Sequence, residues 1–404
     1  MAAWDPADIL RLRAAGYRAE LRRIEAVLTS VTAAGGAEPD SPVRDRFAQL
    51  FTAAGDELAD ATREGPVTPD RWRKLAGARK AVEALDREVL AYVAGRLLAE
   101  RELDGGATAA AARLIASLTS RTGIDRPALL GIGDAECIDH LASIVRFRPL
   151  GTTVWQLPVI AHELGHHVAA RLEEATVPGV RPVQSWLARQ SQDESMATGT
   201  PFQQAGAWLH ELFADAFATY ALGAAYPLSV MAMRVEYDRV AEESSTHPPW
   251  SRRVATMTAT LEAMSRLDIG QTAADTYHEN SRWLASRWAA LTGGQPGTER
   301  PATDKVNDKA QDKVNDKAQD TANDNAAGMV GLLAKHALPR LRYDVTGPVD
   351  RLREELDTPG MPPPPEATPA HVLNAAWAWR LGHPDADDTA VSARALDRCA
   401  QAAL

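Results

Sequence analysis

Cysteine is nearly missing from this chain: there are two in 404 residues, Cys137 and Cys399, far apart and without metal-ligand spacing. That excludes a disulfide framework or a cysteine-based metal knuckle and predicts reduced thiols. Positive charge is also in deficit. The net charge is −10, and the arginines of the first hundred residues are matched by acids, so no nucleic-acid partner is expected. Long apolar runs are absent too, since no window approaches the ~18–20 uninterrupted apolar residues that a membrane span requires. Met1–Leu10, which carries Trp4, Asp5 and Asp8, shows no apolar stretch behind a basic one and does not read as a secretory leader. Together these absences predict a cytoplasmic protein with no membrane partner.

What is present suits a folded protein of two or three domains, with 45% hydrophobic and 24% charged residues. Residues 1–125 read as a helical N-terminal region. Ile9, Leu12, Leu21, Ile24, Val27 and Leu28 recur at helical spacing, and breaks fall near 35–42 and 64–70. Residues 126–292 form the candidate catalytic domain. Within it Ser143–Arg148 alternates like a strand and Thr152–Trp155 like a shorter one. Helices are expected from Pro158 to about Glu174, at 183–190, from Phe202 to Leu222, and at 227–243, 250–266 and 272–291. Residues 293–327 contain the octad DKVNDKAQ twice without change, at 304–311 and 312–319. Two valines cannot bury a core, so this stretch is expected to be a flexible linker, with a solvated helix as the alternative. Residues 328–404 read as a small helical C-terminal tail tethered by that linker, with Trp377 and Trp379 as its packing residues. The expected fold is mainly α with a small β element.

The chemistry concentrates in His162-Glu163-Leu164-Gly165-His166. Residues four apart share one face of a helix, so both imidazoles can reach one zinc ion. Glu163 lies beside them, able to take a proton from water without being a ligand. The flanks, Leu157–Ile160 and Val168–Ala170, are apolar, and a helix that buries such flanks needs partners for its histidines. A metal supplies them. Gly165 costs ~1 kcal/mol against alanine inside a helix, which implies either a kink or the close approach of another backbone. The third ligand is expected in His210-Glu211-Leu212-Phe213-Ala214-Asp215. Glu211 and Asp215 share a face of an otherwise apolar helix, where two buried carboxylates need a cation or donors. Glu211 is the favoured ligand, with Asp215 accepting the outer N–H of a metal-bound histidine. His210, as part of a three-histidine site, is the alternative.

These motifs resemble the gluzincin clan of metallopeptidases. Thr246-His247-Pro248-Pro249, followed by Arg253-Val254, is similar to a segment of the CAAX-prenyl-protease family that includes HtpX. The likeness spans about residues 140–260, and soluble, minigluzincin-type relatives fit best because transmembrane helices are lacking. The Glu211-x-x-Ala-Asp segment is also similar to the ImmA/IrrE-like proteases. The resemblance implies a zincin-like core, with His162, His166 and Glu211 as zinc ligands, Glu163 as general base and acid, and the His247–Arg253 segment near the cleft. The expected activity is zinc-dependent hydrolysis of peptide bonds in a protein or peptide substrate. The alternatives are a zinc hydrolase of another amide or ester, and an interaction protein with a structural zinc. Donors to the developing oxyanion are sought in His247, Tyr220 and Arg253. The 143–148 strand is a candidate edge for an extended peptide. The N- and C-terminal helical regions are candidate surfaces for a regulatory protein partner.

Overall fold

In the computed structural model, residues 6–34, 41–63, 68–100, 104–124, 129–132, 137–139, 144–147, 153–174, 177, 179–235, 240–292, 305–358, 364–383 and 386–403 are described. The protein is mainly helical with one small sheet. Among the described residues, no helix is long and apolar enough to cross a membrane. The chain divides into two compact units, Met1–Glu102 with Gly131–Asp134 and Leu103–Leu130 with Ala135–Leu404.

The first unit contains three long helices, α1 (Pro6–Ala34), α2 (Ser41–Thr62) and α3 (Pro69–Glu100), each packed on the other two. Its core is one apolar stripe per helix, led by Leu10 and Ile24 on α1, Phe47 and Leu58 on α2, and Val82 and Leu85 on α3. The spacing along each helix is the 3.6-residue period that the sequence displays.

After α4 (Ala107–Thr119) of the second unit come three short strands, β1 (Leu129–Ile132), whose last two residues are counted with the first unit, and β2 (Cys137–Asp139) and β3 (Ile144–Phe147) of the second. The sheet order is β1-β3-β2, and β2 runs antiparallel to β3 with Ile138 opposite Val145. The expected strand at 143–148 is therefore β3 over its described part, but it is central rather than an edge. Thr152 lies outside the described residues. Val154 and Trp155 are in a turn closed by Gln156 N–H to Thr153 O at 3.0 Å, not in a second strand.

Helices then follow in order: α5 (Val159–Arg171), α6 (Pro182–Thr198), α7 (Phe202–Leu222), α8 (Ala225–Met233), α9 (Trp250–Ser265) and α10 (Gln271–Leu291). α8 stops at Met233, well short of the expected 243. Beyond it, 236–239 lie outside the described residues, 242–244 are irregular and 245–247 form a bend, where the Ser244 hydroxyl accepts from the Thr246 and His247 N–H groups.

α7 is the hub. From Leu212 to Leu222 every residue is buried, and each large apolar side chain there contributes ~1.5–3 kcal/mol. It ends at Gly223, whose positive φ of 61° and lack of Cβ admit the Tyr343 ring.

The stretch expected to be a flexible linker is helical from Lys305, within α11 (Lys305–His336), while residues 293–304 lie outside the described set. From Lys305 onward it is thus the alternative, a helix, that is observed, and this helix runs on without a break into the region expected to be helical. Ala322, Ala326, Met329, Val330 and Leu333 are buried, and α11 packs on α9 and α7. Nor is the C-terminal region a tethered tail. α12 (Val349–Asp357), α13 (Pro369–Gly382) and α14 (Thr389–Gln401) pack on one another, and α14 and α13 also cover α4. Trp377 meets Trp155 edge-on at 5.4 Å. Cys399 is a buried free thiol whose ionisation burial pushes up.

Candidate metal centre

α5 and α7 cross at their small residues. A Cβ on Gly165 would lie 2.8 Å from Cα and 3.1 Å from O of Ala214, closer than real carbon contacts allow. Of the two readings of Gly165, close backbone approach is the one observed. That approach brings the charged face of α7 onto the His162/His166 face of α5.

Three donor groups converge there. His162 Nε2 lies 3.2 Å from His166 Nε2 and 3.4 Å from Glu211 Oε2. His166 Nε2 lies 3.3 Å from Glu211 Oε1. Ligands at ~2.0–2.1 Å around a tetrahedral ion are about 3.3–3.4 Å apart, so these spacings are those of a coordination shell. Glu211 Oε2 is also a buried oxygen without a hydrogen-bond partner, a costly condition that a cation relieves. Among the described residues, His162, His166 and Glu211 are the group that could hold a metal ion. His210, the alternative third ligand, lines the cavity next door but is not part of this cluster.

Asp215, one turn beyond Glu211, is fully buried. Its Oδ1 is 2.9 Å from His162 Nδ1, accepts from the Tyr226 hydroxyl at 2.5 Å, and accepts from Arg253 Nη2 at 2.7 Å. Its Oδ2 accepts from Arg253 Nε at 2.8 Å. Four donor contacts compensate one buried carboxylate.

Ionisation follows from this network. Burial pushes the Asp215 carboxyl up, but Arg253 and His162 outweigh it and hold the pKa at about 2. Burial likewise opposes charge on His162, yet Asp215 and Glu211 raise its pKa to about 9. Glu211 is held well below the usual carboxylate range: burial raises its pKa, but the two imidazoles outweigh it. The Tyr226 hydroxyl is pushed far up by burial and by Asp215, so it remains a donor.

The cluster forms one wall of an open cavity of about 970 Å³ that Glu163, His210, Thr246, His247 and Trp250 also line. His247 is mostly exposed. Thr246 Oγ1 sits 2.8 Å from its Nδ1, leaving Nε2 turned toward the centre, 3.8 Å from Glu211 Oε1.

The structure departs from the sequence expectation at Tyr220, while Arg253 lies beside the cleft as expected. Tyr220 is buried on α7 but does not line the cavity, and its backbone carbonyl accepts from Tyr343 N–H. Nine residues from Glu211, it falls half a turn round, on the opposite face of the helix, and about 13 Å along the axis. Arg253 does line the cavity, but its guanidinium is engaged with Asp215 and lies over the Trp250 ring at 4.6 Å. It orders the centre rather than facing a substrate oxygen.

Tyr226 escaped the sequence reading. It opens α8, beyond the helix break at Gly223, and no spacing rule relates it to α5. Its one sequence signal is weak: a tyrosine beside proline in an otherwise apolar segment. Set against known proteins, the chain matches no family model, no curated protein and no solved structure, so the centre is read from its own geometry.

Proposed function

We propose that the chain is a zinc-dependent hydrolase of peptide bonds with a gluzincin-like centre. The observation that carries this reading is the tetrahedral spacing of His162, His166 and Glu211 on the wall of a cavity that Glu163 shares. Two imidazoles and one carboxylate are the donor set of catalytic rather than structural zinc sites, which leave a position open. Bound there, zinc supplies Lewis acidity, acidifying a water and polarising a carbonyl.

The chain's own residues supply the rest. Glu163, adjacent to His162 but not part of the cluster, accepts the proton of the attacking water and returns it to the departing amine. His247 Nε2, 3.8 Å from Glu211 Oε1 on the cavity lining, is the donor to the developing oxyanion. Asp215 fixes the tautomer of His162 so that Nε2 faces the ion. An extended substrate cannot pair with β3, which is flanked on both sides. Of the two edge strands, β1 and β2, it is β2 that packs near α5 and is the one placed to take an extended substrate.

Glu163→Gln tests the reading. Zinc content should stay at about one per chain while hydrolysis of a peptide library falls by at least ~10³-fold. A structural zinc has no use for an uncoordinated glutamate, so a variant as active as the parent would overturn the assignment.

A further inference from the structure

Tyr226 is the one member of the buried network that comes from outside the two motif helices and the Arg253 segment. Its hydroxyl touches both partners of the His162–Asp215 bond, lying 2.5 Å from Asp215 Oδ1 and 3.1 Å from His162 Nδ1. Its ring lies nearly parallel to the imidazole, with an 11° angle and centroids 6.1 Å apart. The residue is 1% exposed, and its hydroxyl is spent within the network.

Resting on the zinc reading above, we propose that Tyr226 is a positioning residue for the metal centre. Its hydroxyl pins Asp215 Oδ1 against His162 and so holds His162 Nε2 on the ion. Arg253 grips the same carboxylate from the other side through Nε and Nη2. A fork on one side alone lets the carboxylate follow the arginine away from the imidazole. Tyr226 opposes that movement.

Its own placement depends on the corner between α7 and α8, which Asn374 of α13 holds. Asn374 Nδ2 donates to the Leu222 carbonyl at 2.7 Å, and its Oδ1 accepts from Ala225 N–H at 3.2 Å. One amide thus satisfies the end of α7 and the start of α8. The C-terminal region thereby reaches the metal centre without touching it.

The experiment compares the full-length parent, Tyr226→Phe and Asn374→Ala. Zinc affinity is measured by competition with a chromophoric chelator, and the visible spectrum is recorded after cobalt substitution. Tyr226→Phe should weaken zinc about tenfold or more, in the range of outer-shell partners, and shift the cobalt bands. Asn374→Ala should move both readouts in the same direction by less. If Tyr226 merely filled space, thermal stability would fall while both metal readouts stayed unchanged, and that result overturns the proposal.

Should the Phe variant fail to fold, histidine-labelled NMR of the zinc-loaded parent decides. It should show a His162 Nδ1–H resonance with through-space contact to the Tyr226 ring, and the absence of that contact refutes the proposal. A parent that binds no zinc sinks the metal reading itself, a distinct outcome.

Discussion

At the residue scale, the centre binds either a proton or a metal, and the two states differ in how stability follows pH. Without metal, His162 titrates at about 9 against an ordinary value of 6.5. A raised value means stability that is fully present below pH 6.5 and is lost as pH climbs through 9. Asp215, depressed to about 2 from 3.8, works in the opposite sense, and its contribution disappears only as pH falls through about 2. The chelator-treated protein should therefore melt at progressively lower temperature between pH 6.5 and 9. With zinc bound, the cation replaces the His162 proton, and stability should instead rise from pH 5 to 7 as the metal competes better. Parallel melting curves with and without zinc across pH 5–9 would contradict this account. The motif residues were legible in sequence because a four-residue spacing on a helix determines which side chains meet. Tyr226 was not, because it meets His162 only through tertiary packing.

At the element scale, the centre exists because α5 and α7 approach closely. Gly206, also on α7, offers a control, since a Cβ there meets only Ser191 Oγ at 3.5 Å. Gly206→Ala should be neutral or stabilise by up to ~1 kcal/mol through helix propensity. Gly165→Ala gains the same propensity but forces α5 off the Ala214 backbone, an overpacking that costs ~1–3 kcal/mol. It should lower the melting temperature and weaken metal binding together, as denaturant titration and zinc competition would reveal. A Gly165→Ala protein as stable as the parent would mean that the two helices are not in tight contact. Most helices were readable from apolar period. The end of α8 and the helical state of 305–327 were not: α8 closes with the Arg234 and Val235 N–H groups both on the Val230 carbonyl, and 305–327 belong to α11, which packs on α9 and α7.

At the scale of the whole molecule, the C-terminal region is built into the second unit. Arg113 Nε donates to the Ala402 carbonyl, Ser392 Oγ accepts from Val154 N–H, and Asn374 holds the α7–α8 corner. Periodicity shows that α12 to α14 are helices, but contacts between residues 149 to 289 apart leave no local signal, which is why a tethered tail was the natural expectation. These bonds complete a body whose interior carries one charged cluster poised around a point. The most direct test of that cluster is an anomalous-difference map recorded at the zinc absorption edge from crystals of the zinc-loaded protein. The account predicts one strong peak, ~2.0–2.1 Å from His162 Nε2, His166 Nε2 and a Glu211 carboxylate oxygen. No peak there, or zinc held by other side chains, would contradict it.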